Sequence, residues 1–229
     1  MKRIVVLSGA GISAESGIRT FRDSGGLWEG QDVTEVASPE GWARNPELVL
    51  EFYNQRRKQA MEVAPNEAHL ELARLEQDYE VTIITQNVDN LHERAGSTNV
   101  MHLHGELSKC RSTADESLVY DMDGWELKWG DVCEKGAQLR PHIVWFGEMV
   151  PMIEPAAKIT STADIFMIVG TSLQVYPAAG LINYTNPDIP KFLIDPNASE
   201  SGNSKDIKIY QQPATSGVKQ VADYIRENF

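Results

Sequence analysis

The chain has 229 residues, of which 41% are hydrophobic and 24% are charged, a composition that suits one globular domain with a sizeable core. Its 33 acidic and 21 basic residues give a formal net charge of -12, which argues against sequence-independent binding to a phosphate backbone. There is no long apolar run and no signal peptide pattern, and the two cysteines are too few for a disulfide framework. We therefore expect a cytoplasmic protein with no membrane and no direct nucleic-acid partner.

Apolar, β-branched runs that predict strands recur along the chain, with helical patterns between several of them. Helices are predicted from Asn45-Pro46 to about Met61, from Glu67 to Gln77, and near the C-terminus. The strand runs are Ile4 to Leu7, Val81 to Ile84, Val100 to Leu103, Ile165 to Val169 and Phe192 to Ile194. This alternation predicts an α/β, Rossmann-like fold with a mostly parallel sheet, helices on both faces and a small inserted module.

Each strand run is followed by polar residues or glycine. In an open α/β sheet the ligand binds outside the carboxyl ends of the strands, so we expect these residues to meet at one crevice. They are Ser8-Gly9-Ala10-Gly11, Thr85 to Asp89, His104-Gly105-Glu106, Gly170-Thr171-Ser172 and Asp195.

The segment from about 105 to 140 interrupts the alternation of strands and helices. Asp123-Gly124 predicts a two-residue hairpin turn. Its strands would pair Met122 with Trp125, Tyr120 with Leu127 and Leu118 with Trp129, placing six apolar side chains on one face. We thus predict a single domain over 1–229, with a Rossmann-like part (about 1–27, 66–104 and 141–229), a small helical module (about 28–65) and a β-hairpin module (about 105–140).

The first turn, Gly9-x-Gly11-x-x-Ala14, fits the fingerprint of a dinucleotide-binding loop. The alternative is a tight strand-to-helix turn with no ligand. An ordinary dehydrogenase also carries an acidic residue about 20 positions later, at the end of a second strand. That place here holds the glycine-rich stretch GGLWEGQDVTEV, with Glu35 in the wrong context, which weakens the dehydrogenase interpretation.

Five motifs follow one another in the order found in the sirtuins, the NAD-dependent protein lysine deacylases, which this chain resembles over roughly residues 4 to 215. They are GAGISAESGIRTFRDSGGLW, TQNVDNLHERAG, HLHGEL, LRPHIVWFGE and VGTSLQVYPAAG. The resemblance implies a catalytic domain that consumes NAD as a co-substrate and acts on acylated lysines of proteins or peptides. Nicotinamide and O-acyl-ADP-ribose would be the products, and we expect a monomer.

The resemblance makes His104 the general base that removes a proton from a ribose hydroxyl, a task that a near-neutral pKa suits. A lone histidine is otherwise more often structural, and for His102 we expect packing. Gln86, Asn87 and Asp89 would hold the ribose and the nicotinamide amide, with Asn87 taking part in catalysis. From the residues alone, the same segment can be a polar turn that caps the next helix.

Further NAD contacts follow from the same resemblance. Phe21 would shield the reacting sugar carbon, and Phe21 and Arg22 lie in a glycine-containing loop that could close over the cofactor. Gly170, Thr171 and Ser172 would form a second phosphate and ribose contact at a helix start. The expected NAD set also includes Gly9, Ala10, Gly11, Ser13, Glu15, Thr20, Trp28, Val88, Asp195 and Ala214.

The substrate peptide would add as a strand between VWFGE and VYPAA, with Val144 and Phe146 lining a tunnel for the acyl-lysine and Gly147 and Val175 beside it. The alternative is that Val144-Trp145-Phe146 is simply a buried strand end.

Tyr53 and Arg56 are three residues apart on a predicted helix, so they share a face and could hold a carboxylate. Together with Ala37, they resemble the bacterial desuccinylase-like sirtuins, which remove succinyl or malonyl groups. The alternative is that Arg56-Arg57-Lys58 forms a solvated basic face and that Tyr53 belongs to the apolar stripe of the helix.

Most sirtuins hold a structural zinc with two Cys-x-x-Cys pairs, but Cys110 and Cys133 each lack the second cysteine. Two thiolates cannot complete a closed tetrahedral site, so we expect no zinc. A contribution from Asp115 or Asp131 is the alternative. The apolar face of the hairpin would then brace the module.

Two other functions remain open. Mono-ADP-ribosyltransfer shares the early steps, and a non-catalytic module could sense NAD or ADP-ribose. The presence of His104, Asn87 and Asp89 speaks against a dead catalytic centre.

Overall fold

The structure is a computed structural model that describes residues 1–18, 27–28, 31–171, 173–198 and 207–229. Its strands are β1 (Arg3–Ser8), β2 (Leu27–Trp28), β3 (Gln31–Asp32), β4 (Glu80–Thr85), β5 (Val100–His102), β6 (Gly105–Ser112), β7 (Val119–Asp121), β8 (Leu139–Ile143), β9 (Ile165–Val169), β10 (Lys191–Ile194) and β11 (Ile207–Tyr210). Its α-helices are α1 (Val33–Val36), α2 (Pro39–Arg44), α3 (Pro46–Glu62), α4 (Glu67–Leu75), α5 (Leu91–Arg94), α6 (Ile153–Thr160) and α7 (Ala214–Asn228). None of the helices in these ranges has the length and apolar character that a membrane span requires.

Six strands form one parallel sheet in the order β11-β10-β9-β1-β4-β5. The chain starts in the middle of the sheet at β1, builds outward through β4 and β5, and then returns to β9 on the other side of β1. The strand order therefore reverses between β1 and β9, and the crevice outside their carboxyl ends is where such sheets bind ligands.

Both faces of the sheet are covered. On one face, α4 and α7 pack against alternate residues of the central strands, with Ile4, Val6 and Met167 in the same buried cluster as Leu72 and Val221. On the other face, α6 and a 3-10 helix over Ala178–Tyr184 cover Val5, Leu7, Phe166 and Ile168. Because side chains alternate along a strand, these runs are apolar on both faces, and the predicted Rossmann-like fold is confirmed.

The predicted helices begin where the sequence places their caps. Asn45 accepts a hydrogen bond from the Leu48 amide at 3.1 Å, and Pro46 occupies the first turn of α3. Asn66 caps α4 in the same way, accepting from the Ala68 amide at 3.0 Å. A side-chain oxygen at these positions satisfies an amide that has no partner within the helix.

The predicted hairpin at Asp123-Gly124 is wrong. β7 ends at Asp121 and pairs with β6 instead, with Tyr120 opposite Cys110 and Val119 opposite Arg111. β8 pairs with the other edge of β6, so the inserted module is a three-stranded antiparallel sheet in the order β7-β6-β8. Residues 122–130 contain no strand.

The apolar brace that the hairpin would have supplied is only partly present. Leu127 is buried against Leu50 and Cys110, with Tyr120 and Met122 packed beside them, whereas Trp129 is 57% exposed.

Polar side chains of α3 hold the same segment. Asn54 bonds to both the carbonyl and the amide of Leu127, at 3.0 and 2.9 Å. The Arg57 guanidinium donates to the carbonyls of Leu107 and Trp125. The module is therefore fastened to α3 by buried hydrogen bonds as well as by apolar packing.

Candidate active site

Residues at the carboxyl ends of four parallel strands lie together at one edge of the sheet. The side-chain amide of Asn87 donates to the carbonyl of Gly9 at 3.3 Å, and the side-chain amide of Gln86 donates to the Thr171 hydroxyl at 3.1 Å. His104 bonds to the Gln86 carbonyl at 3.0 Å. Residues that follow β1, β4, β5 and β9 are thus tied directly to one another.

The glycines of the first turn are required by close packing against the loop after β9. A Cβ added to Gly11 would lie 2.6 Å from the Gly170 Cα, and one added to Gly9 would lie 2.8 Å from the Thr171 Cβ. The amides of Gly9 and Gly11 donate to the carbonyls of Val169 and Gly170, both at 2.9 Å. These two amides therefore already have protein acceptors, and the role predicted for the loop in NAD binding does not rest on them.

His104 has the protonation state that a general base needs. Its Nδ1 faces the Gln86 carbonyl, which can only accept, so Nδ1 carries the proton and Nε2 keeps its lone pair. Burial lowers the pKa of His104, partly opposed by the bond to Gln86. The ring is consequently neutral at pH 7 and can accept a proton at Nε2.

Asn87 and Asp89 are buried side by side and share the hydroxyl of Ser13. Ser13 accepts from the side-chain amide of Asn87 and donates to the Asp89 carboxylate, both at 3.1 Å. Asp89 also accepts from the Leu91 amide at the start of α5, at 3.1 Å, as the helix-cap alternative predicts. Burial raises the pKa of Asp89, although these two hydrogen bonds act against it.

Two other predicted NAD residues already have structural partners. Glu15 accepts from the amide and the hydroxyl of Thr215, at 3.0 and 2.8 Å, in the first turn of α7 beside Ala214. Asp195 is 3% exposed and accepts from the Asn197 amide at 2.8 Å.

No helix starts directly after Gly170 in the described residues, because the next one is the 3-10 helix from Ala178. That part of the prediction for Gly170, Thr171 and Ser172 is wrong. Thr20, Phe21, Arg22 and Ser172 lie outside the described residues, and of Trp28 only the backbone in β2 is described.

Tyr53, Arg56 and Ala37 are all buried, at 0, 7 and 2% exposure. The solvated basic face is therefore wrong, since Arg57 is also only 2% exposed. Tyr53 accepts from the Trp145 indole at 3.1 Å, and Ala37 belongs to the same apolar cluster. Burial raises the pKa of Tyr53, opposed by this hydrogen bond and by the nearby charge of Arg56.

A cavity of about 370 Å³ opens beside Arg56. Its other lining residues all belong to β3 and α3: Gln31, Leu48, Glu51, Phe52, Gln55 and Gln59.

The loop after β8 links the histidine to the predicted acyl-lysine tunnel. The Val144 amide donates to the His104 carbonyl at 2.9 Å, and the Phe146 amide donates to the Ala37 carbonyl at 3.0 Å. Phe146 and Val175 are 50 and 37% exposed, so Phe146 is not part of a buried strand end. Gly147 has φ of +90°, a conformation that favours glycine and turns the chain after Phe146.

Glu148 fixes this loop from its far end, a role that the sequence did not indicate. Its carboxylate accepts from Arg140 at 2.7 Å and from the Trp145 amide at 2.8 Å. The Arg140 guanidinium also lies over the Trp145 ring, 3.3 Å from its centroid. Trp145 is thereby held where its indole reaches Tyr53.

His102 does more than pack. Its Nδ1 faces the Asn87 carbonyl at 2.9 Å and its Nε2 faces Glu93 at 2.7 Å. Burial alone would lower the pKa of His102, but the hydrogen bond and charge of Glu93, the Asn87 carbonyl and the charge of Glu106 together raise it. The alternation of side chains that placed His102 beside His104 was the only signal for it in the sequence.

The residues do not fit a structural zinc. Cys110 and Cys133 are both buried free thiols, and Cys133 donates to the Ser112 hydroxyl at 3.2 Å. Across the described ranges, no group of three or more histidine, cysteine or acidic side chains could hold a metal ion. Asp115 instead pairs with Lys135 at 2.6 Å.

The open parallel sheet with its order reversed between β1 and β9 is the architecture of the doubly wound α/β proteins, which bind ligands at that reversal. The model of the Sir2 family matches residues 9–177. The chain is 54% identical over 223 residues to a protein of Helicobacter pylori strain J99 named NAD-dependent protein deacylase, covering 96% of this chain and 94% of that one. The chain belongs to the Sir2 family.

Solved structures agree with this assignment. A Sir2 homologue in complex with NAD superposes with a TM-score of 0.89 at 37% identity, covering 99% of this chain and 90% of that chain. A Sir2 homologue triple mutant in complex with 2'-O-acetyl ADP ribose gives a TM-score of 0.88 at 36% identity, covering 99% and 92%.

Proposed function

We propose that this chain is an NAD-dependent protein deacylase that removes acetyl groups, and also succinyl and malonyl groups, from lysine side chains. Nicotinamide and O-acyl-ADP-ribose are the products. One observation carries the proposal: the neutral His104 ring is tied to Gln86 at the crevice where the strand ends meet, with Nε2 free to accept a proton. Membership of the Sir2 family supports the use of NAD.

Different residues of the chain contact the nicotinamide, the ribose and the peptide. The side-chain NH2 of Asn87 already donates to Gly9 and Ser13, so its side-chain oxygen and the Asp89 carboxylate are the groups that can accept from the carboxamide NH2 of nicotinamide. His104 accepts the ribose proton, and its Gln86 hydrogen bond keeps the ring in the productive tautomer. The exposed Phe146 and Val175 border the cleft in which a peptide strand adds.

The preference for acidic acyl chains rests on a cation at a buried site. Arg56 is 7% exposed, and its charge acts on Tyr53. A guanidinium withdrawn from water binds a carboxylate more strongly than an exposed one does. Ala37 is small, so it leaves room for a longer acyl chain.

Acetyl, malonyl and succinyl forms of one peptide, incubated with NAD and followed by mass, test both parts. Deacylation releases nicotinamide only when acyl peptide is present, whereas an ADP-ribosyltransferase adds mass to protein and a sensor changes nothing. Arg56→Met should lower kcat/KM for succinyl peptide about 10- to 100-fold, the scale of a charged hydrogen bond, and leave acetyl peptide nearly unchanged. Arg44→Met, an exposed arginine at the end of α2, is the control. Equal losses on both peptides would refute the specificity.

We also propose that the inserted module needs no zinc. The hydrogen bonds of Asn54 and Arg57 to the module, together with buried Leu127, support this.

A further inference from the structure

Two fully buried histidines lie against the Asn87–Asp89 turn, and no step of the proposed reaction uses them. His69 on α4 and His92 on α5 are both 0% exposed. Their rings meet edge to face, with centroids 4.9 Å apart and an interplanar angle of 63°. Each contacts one serine hydroxyl beside the crevice, Ser13 for His69 and Ser8 for His92.

The hydrogen bonds around His69 fix its tautomer. Nδ1 lies 3.3 Å from the Asn66 backbone nitrogen, a donor, and 3.2 Å from the Asn66 Oδ1, an acceptor, so this side of the ring accommodates either tautomer. The Ser13 side decides the tautomer: Ser13 gives its single proton to Asp89, so Nε2 of His69 must carry the proton of the hydrogen bond between His69 and Ser13. Nε2 lies 3.5 Å from the Ser13 Oγ, which therefore accepts from His69 and from Asn87, and gives its own proton to Asp89.

His92 begins a second chain of hydrogen bonds. Its buried Nδ1 has no hydrogen-bond partner in the described part of the protein, and a buried N–H without an acceptor is rarer than an unfilled lone pair. The proton therefore belongs on Nε2, which donates to the Ser8 Oγ at 2.9 Å. Ser8 in turn donates to the Thr85 hydroxyl at 2.9 Å, and the same Thr85 oxygen also accepts from the backbone N–H of Asn87 at 3.1 Å.

We propose that His69 and His92 are positioning residues, a pair of neutral imidazoles that set the directions of two serine hydroxyls and so hold Asn87 and Asp89 in register for an aromatic carboxamide. The inference rests on the proposed function, because nicotinamide is the carboxamide concerned. One chain ends on the Asp89 carboxylate and the other on the Asn87 backbone. The first chain thus fixes the Asp89 carboxylate and the Asn87 side chain together, and the second fixes the Asn87 backbone.

Burial supports the neutral state that this arrangement needs. It lowers the pKa of His69 to about 4 and lowers the pKa of His92 well below its ordinary value. A protonated His92 would carry an N–H on Nδ1 with no acceptor among the described residues. Asp89, His102 and Glu93 are the other titratable groups near this turn.

Substitution of His69 tests the proposal through inhibition by nicotinamide. His69→Leu removes the N–H at similar volume, and we expect the nicotinamide inhibition constant to rise about 3- to 10-fold, the effect of losing one hydrogen bond. KM for the acyl peptide should not change. His69→Gln retains an N–H donor and should stay close to wild type. The same pair of substitutions at His92 should follow the same order.

Leu72→Ala separates positioning from stability. Leu72 is fully buried on the same helix, α4, where it belongs to an apolar cluster. It should lower Tm and leave the nicotinamide inhibition constant unchanged. The proposal is overturned if Leu72→Ala shifts that constant as much as His69→Leu, or if His69→Leu leaves it at the wild-type value.

Nitrogen-15 NMR of the imidazoles tests the same inference without any substrate. Both rings should be neutral with the proton on Nε2 from pH 5 to 8, and a proton on Nδ1 of His69 would refute the inference. If the tautomers are as expected but the wild-type protein releases no nicotinamide with acyl peptide, then the proposed function fails and the hydrogen-bond assignment stands.

Discussion

Replacing Glu148 with glutamine should destabilise the protein and weaken peptide binding together. The Glu148 carboxylate contacts Arg140 at 2.7 Å and Arg111 at 3.4 Å, and the three side chains are 19, 10 and 8% exposed. Burial alone would raise the pKa of Glu148, but the hydrogen bonds from Arg140 and the Trp145 amide outweigh it and lower the pKa. Glutamine leaves the two buried guanidinium groups without a counter-charge.

Breaking a buried ion pair by removing one partner costs about 3–5 kcal/mol. Because Glu148 is partly exposed, we expect about 3 kcal/mol at pH 7, which for a domain of this size lowers Tm by about 6–12 °C. Since the carboxyl pKa is depressed in the folded state, the difference from wild type is present above pH 4.5 and narrows as the pH falls through the folded-state pKa.

Thermal unfolding of E148Q and wild type at pH 7 measures this effect. The KM for acyl peptide, measured on the same samples, should rise in E148Q if Glu148 positions the loop that holds Trp145. Glu154→Gln is the matched control, because the Glu154–Lys158 pair is 78 and 74% exposed and should be worth less than about 0.5 kcal/mol. If E148Q melts within about 2 °C of wild type, or only as far below it as E154Q does, the described role of Glu148 is wrong.

Three further outcomes are expected. The pH profile of kcat/KM should lose activity on the acid side with an apparent pKa below 6.5, because a depressed pKa keeps His104 neutral to lower pH; an acid limb above 6.5 would contradict this. Metal analysis after dialysis against a chelator should find far less than one zinc per chain with activity retained, whereas about one bound zinc would show that Cys110 and Cys133 belong to a metal site. Asn54→Ala should lower the free energy of unfolding in urea by about 2 kcal/mol, since both bonds to Leu127 are lost, and a change below about 0.5 kcal/mol would mean that apolar packing alone holds the module.

The parallel sheet was predictable because its information is local. Runs such as Ile165 to Val169 are apolar at every position, as strands covered on both faces must be. Asn45 and Asn66 mark helix starts by their own side chains. The convergence of the strand ends then followed from topology alone.

The inserted module was not predictable in the same way. Asp123-Gly124 is a strong turn signal, but β7 pairs with the longer strand β6. Asn54 occupies the backbone amide and carbonyl of Leu127, which a hairpin would have used to pair with Tyr120. The partners of Leu127 come from a helix 73 residues away in sequence. A local pattern cannot indicate such a contact.

The buried charges were missed for a related reason. An arginine in a helix is normally predicted to be at the surface. Arg57 is buried because the carbonyls of Leu107 and Trp125 accept hydrogen bonds from its guanidinium. Likewise, His69 fits the apolar side of α4, and nothing near it in the sequence shows that Ser13 lies opposite.

The most direct test of the account compares wild type with His104→Ala in one assay that counts nicotinamide released and acyl-lysine lost. We expect equal amounts of the two in wild type and a loss of at least about 100-fold in deacylation for the variant, the scale of general base catalysis, with an unchanged thermal midpoint. Deacylation at the wild-type rate without the His104 imidazole, or nicotinamide release that ignores the acyl peptide, would contradict the account.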